Sequence, residues 1–76
     1  MDFKIVSCKG TETFTTTATA AEWLEEYQPA TAEVDVNGQR VELVCHDEEG
    51  WEDSEALRVQ LRCAVRDARA MAAAAQ

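Results

Sequence analysis

The sequence predicts an α+β domain of order ββαββα, a four-stranded, mainly antiparallel sheet with two helices packed on one face. Three observations lead there. Asn37-Gly38 stands between two alternating runs, a strong short-range hairpin signal. Residues 2–8 alternate ahead of a Lys9-Gly10 turn and a threonine-rich run, which gives a second hairpin. Apolar residues recur at helical spacing after each hairpin, first over 20–27 and then over 57–72. With 76 residues and no internal linker or repeat, the chain is expected to be one compact domain, 1–76.

In the first hairpin Phe3 and Ile5 share a side. A two-residue loop at Lys9-Gly10 pairs Ile5 with Phe14 and Phe3 with Thr16, and the second strand takes in residues 13–17. Thr19-Ala20-Ala21-Glu22 has the form of a capping box and opens the first helix. Ala20, Trp23, Leu24 and Tyr27 make its apolar stripe, Glu22, Glu25 and Glu26 point elsewhere, and Pro29 ends it near Gln28.

A type I′ turn at Asn37-Gly38 fixes the second hairpin, over residues 31–46. Val34 then faces Val41 and Ala32 faces Leu43 on the buried side, with Cys45 nearby. On the open side Asp35 faces Arg40, a favourable pair, and Glu33 faces Glu42, an unfavourable one. The last helix starts at Asp53 or Ser54 and covers about 53–75. Leu57, Leu61, Ala64, Val65, Ala68 and Ala72 line its core face, and Val59, Cys63 and Ala70 form a thin apolar line opposite. At about 1.5 Å per residue it outreaches strands of about 20 Å. Its Ala-rich end, 71–76, is therefore expected to project or fray. The pattern leaves open whether the hairpins join through the first or the second strand. It also leaves open a parallel contact of the kind found in β-grasp sheets, which the ββαβ order resembles at fold level only.

Charge is divided unevenly. Residues 1–55 hold fourteen acids and three bases, and residues 56–76 hold one acid and four arginines, giving −8 overall. The arginines, Arg58, Arg62, Arg66 and Arg69, all fall on a flank of the last helix. With a pI near 4.4, broad binding to nucleic acid or anionic membrane is not expected of the body. No stretch reaches the roughly 18 apolar residues of a membrane span and no signal-peptide pattern opens the chain, so a cytoplasmic location is expected. Three widely spaced cysteines, Cys8, Cys45 and Cys63, point to reduced thiols, with Cys8 and Cys45 as inert buried groups.

No catalytic or cofactor motif is present. Cys45 and His46 are adjacent on a strand and so face opposite ways, which suits neither zinc nor a Cys-His pair. No metal, cofactor or enzymatic activity is expected. The acids gather on the first helix, on the open face of the second hairpin (Glu33, Asp35, Glu42), and in the segment carrying Asp47, Glu48, Glu49 and Glu52. Trp51 lies within that segment, an aromatic with a charged rim that suits an interface hot spot. The expected function is therefore protein binding. The chain would occupy a basic, nucleic-acid-binding surface of a larger complex, as phage or mobile-element inhibitors of CRISPR or restriction systems do. The alternatives are a structural subunit or homodimer joined through Val59, Cys63 and Ala70, and a nucleic-acid module using the arginine flank.

Overall fold

The computed structural model describes residues 2–44 and 54–75. Its elements are β1 (Phe3–Ser7), β2 (Gly10–Phe14), α1 (Thr17–Tyr27), β3 (Ala32–Val36), β4 (Gln39–Leu43) and α2 (Ser54–Ala74). They form one sheet of order β2-β1-β3-β4 with every neighbouring pair antiparallel. The α+β class and the ββαββα order are as the sequence predicts. The hairpins join through β1 and β3, with Lys4 opposite Asp35 and Ile5 opposite Val34.

The second hairpin has the predicted register, Val34 opposite Val41 and Ala32 opposite Leu43. Its turn places Asn37 at φ 51° and Gly38 at φ 86°, the two positive values that a type I′ turn needs. The Gly38 N–H donates to Asp35 Oδ1 at 3.0 Å, so the strand residue before the turn also braces it.

The first hairpin departs from expectation by one turn position. Its loop is Cys8-Lys9, and Phe3 pairs with Phe14 while Ile5 pairs with Glu12. Ser7 accounts for the choice. Its hydroxyl donates to the Gly10 carbonyl at 2.9 Å and accepts from the Lys9 N–H at 3.2 Å. Gly10, at φ 122°, then supplies the conformation just past the loop that other residues avoid. The slid register also brings the Phe3 and Phe14 rings to 6.1 Å. Because the pairing moves by two, every side chain keeps its predicted face. It also draws β2 back to Gly10–Phe14, which leaves Thr16 and Thr17 to the helix.

Thr16, not Thr19, is the N-cap of α1. Its backbone is extended and its hydroxyl accepts from the Thr19 N–H at 3.3 Å. The helix thus begins one turn earlier than the capping-box reading. It ends as expected, with Gln28 in the left-handed region, its N–H donating to the Leu24 carbonyl at 2.8 Å, and Pro29 following. The buried stripe is Ala20, Ala21 and Leu24; Trp23 is half-buried and Tyr27 exposed.

The core lies between the sheet and both helices. Phe3, Ile5, Ala32, Val34, Val36 and Leu43 meet the α1 stripe and all six predicted core residues of α2. Ala72 is among them, so α2 is still seated on the body there and does not project from residue 71. Small side chains at Ala68 and Ala72 let that end lie close. Where β4 ends, the Gln60 side chain binds Val44 as a strand would: its Oε1 accepts from the Val44 N–H and its Nε2 donates to the Val44 carbonyl. Among the described residues no helix is long and apolar enough to cross a membrane.

Candidate functional site

The pleat divides the sheet into two faces. The side chains of Phe3, Ile5 and Val34 turn to the helices, so those of their neighbours line the open face. Register then places Thr13, Lys4, Asp35 and Arg40 in one row across the four strands, and Thr11, Val6, Glu33 and Glu42 in the next. The predicted acidic trio is therefore together on one face, but its members differ. Arg40 Nε donates to Asp35 Oδ2 at 2.9 Å, and Lys4 stands on the other side. Burial pushes the Asp35 carboxyl up. The Gly38 N–H, Arg40 and Lys4 together outweigh it and hold the group below its ordinary value. Asp35 is thus a neutralised, structural acid.

A depressed carboxyl contributes stability that is present above its ordinary value near 3.8 and is lost as pH falls through the lower folded value. Asp35→Ala removes the turn bond and the ion pair and should cost about 1–2 kcal/mol at neutral pH. The gap between variant and parent should narrow in chemical denaturation as pH falls below the ordinary carboxyl value near 3.8. An equal gap at all pH values would show that the carboxylate charge is irrelevant.

Glu33 and Glu42 have no such neutralisation. They stand directly opposite each other, and among the described residues neither has an ion pair. On α1, Glu22 and Glu26 are exposed. The other predicted partner-binding acids, Asp47, Glu48, Glu49 and Glu52, lie outside the described residues, as do Trp51, Cys45 and His46.

The predicted apolar line on α2 does face away from the core. Val59 is 47% exposed, and Cys63 and Ala70 are exposed too. Within the arginine flank, Arg66 bonds Asp67 at 3.3 Å. Arg58 and Arg62 line a groove of about 340 Å³ together with Glu55 and the first residues of α1, Thr17 and Ala18.

Two features escape the sequence reading. One is a run of rings: Phe14 to Trp23 at 6.1 Å and Trp23 to Tyr27 at 5.0 Å, continuing the Phe3–Phe14 contact out to the surface. The i, i+4 spacing of Trp23 and Tyr27 was the available signal. The other is Cys8. Its place in the turn leaves it exposed, where burial was expected. Backbone hydrogen bonds from Thr31 and then Ala30, across the adjoining strand end, lower the thiol from its ordinary value. At pH 7 Cys8 should alkylate faster in the folded protein than in denaturant, read by peptide mass spectrometry. A slower folded-state rate would overturn this assignment.

Compared with family models, with curated proteins and with solved structures, the chain matches none.

Proposed function

We propose that this chain is a small, acidic, non-enzymatic binding protein that occupies a basic, nucleic-acid-binding surface of a larger protein complex. The type that best suits it is a cytoplasmic inhibitor of phage or mobile-element origin directed at a CRISPR or restriction system. The observation that carries the reading is the Glu33–Glu42 pair. Like charges directly opposite in an antiparallel pair are destabilising. One row away the same face achieves the opposite arrangement with Asp35 and Arg40, so the fold does not require the repulsion. A surface that gives up stability to keep two carboxylates together suits a role in binding cations on a partner.

The test separates stability from binding. Glu42→Lys should raise stability by about 0.2–1 kcal/mol, because it turns repulsion into attraction. Against a partner captured from the native host, the same change should slow association, and association should fall steeply with salt while dissociation changes less. Reversal at Glu48, Glu49 and Glu52 should act alike, and Trp51→Ala should act mainly on dissociation. Salt-independent association that tolerates both reversals would leave the charge a role in solubility alone. Direct binding to DNA or RNA at about 150 mM salt, abolished by Arg58→Glu with Arg62→Glu, would favour the nucleic-acid reading instead.

The exposure of Val59, Cys63 and Ala70 supports a second reading, a homodimer through α2. A monomer in sedimentation, with Val59→Lys leaving the thermal midpoint unchanged, would dispose of it.

A further inference from the structure

We propose that the outer flank of α1 is a docking surface for arginine side chains of a partner protein, with Trp23 and Tyr27 as the stacking platform and Glu22 and Glu26 as the charge partners. This rests on the reading that the partner presents a basic surface, and it names a second face that would meet it.

The platform is built from the core outward. Phe3 is 2% exposed, Phe14 and Trp23 are half-buried, and Tyr27 is 49% exposed, each ring touching the next. The inner rings fix the outer ones, so little rotamer freedom remains to be lost on binding. A helix places residues three and four apart side by side, which sets Glu26 next to Trp23 and one turn from Glu22. Glu12 lies two residues from Phe14 on the same face of β2. Among the described residues none of these three glutamates has an ion pair. The flank is also open among the described residues, where β2 is the edge of the sheet and carries no further strand.

The chemistry selects arginine over lysine. A guanidinium is planar, weakly hydrated and able to stack on a ring while its N–H groups reach carboxylates at the rim. An ammonium is a hydrated point charge and makes the second contact better than the first. Charge complementarity with a chain of net charge −8 favours a cationic occupant, and the rings distinguish which cation.

The experiment uses nona-arginine and nona-lysine peptides with the full chain carrying Trp51→Phe, so that Trp23 alone reports by fluorescence. At about 150 mM salt the arginine peptide should perturb Trp23 emission and bind about two- to fivefold tighter than the lysine peptide. Tyr27→Ala, at an exposed position, should reduce that preference to near unity, and Glu22→Gln with Glu26→Gln should weaken both peptides. Equal binding of the two peptides, or a preference that survives Tyr27→Ala, would overturn the proposal. Neither result depends on a natural partner. A failure here beside salt-steered association with a captured partner removes only this dock; an arginine preference here beside a captured partner whose association ignores salt removes only the function proposed above.

Discussion

Leu61→Ala should cost about 3 kcal/mol, within the 2–5 kcal/mol span of buried leucine truncations. Leu61 is fully buried in the middle of α2, in the cluster that joins both helices to β1, β3 and β4. The neighbouring α2 residues Ala64 and Ala68 are already small, so few side chains are long enough to collapse into the space. A chain of this size has about 4–11 kcal/mol of total stability. The thermal midpoint should therefore fall by about 12–24 °C. A loss below about 1 kcal/mol in urea unfolding would mean that α2 is not seated through this residue.

Gly38→Val should cost about 1–2 kcal/mol, through the backbone alone. At φ 86° an L side chain is strained, yet a Cβ built there meets nothing within 4 Å. Steric clash and conformational strain are thus separable at this position. The order of cost should be Val, then Ala, then Asn, since Asn tolerates left-handed backbone best. If Val is neutral, the turn is not type I′. If all three cost the same, the loss comes from something other than strain.

The two hairpins show what sequence can and cannot specify. Asn37-Gly38 demands two positive φ values in succession, a requirement few other dipeptides meet, so its register could be read directly. Lys9-Gly10 was a weaker signal because Gly serves equally well inside a loop or just after it. The outcome turned on the Ser7 hydroxyl, bonded within the turn, and on a cross-strand ring pair between Phe3 and Phe14, neither of which alternation encodes. Alternation still assigned each face correctly, since a slide of two preserves it. Thr19 was read as the cap and Thr16 as strand, and the hairpin's earlier end gave the cap to Thr16, one turn before. The six core positions of α2 were legible because a long helix repeats its pattern often enough to be unambiguous.

The candidate site was legible in part for the same reason. Opposition of Glu33 and Glu42 follows from the turn, and so was available in advance. That Lys4 would flank Asp35 was not, because it depends on which strands meet at the centre of the sheet. The aromatic run was hidden by a rule that is only statistical. Trp23 and Tyr27 fit a buried stripe, but the buried residues of α1 are Ala20, Ala21 and Leu24, which leaves Trp23 half-buried and Tyr27 exposed.

The Gln60 amide, bonded to both backbone groups of Val44, has a bearing on how such a protein can change over generations. It ties the end of β4 to α2, so one side chain holds a strand end and a helix together. A change at Gln60 that cannot bond both groups would therefore be felt in the sheet as well as in the helix. Over generations, the residue at position 60 of the helix and the end of β4 thus constrain each other, and neither can drift alone.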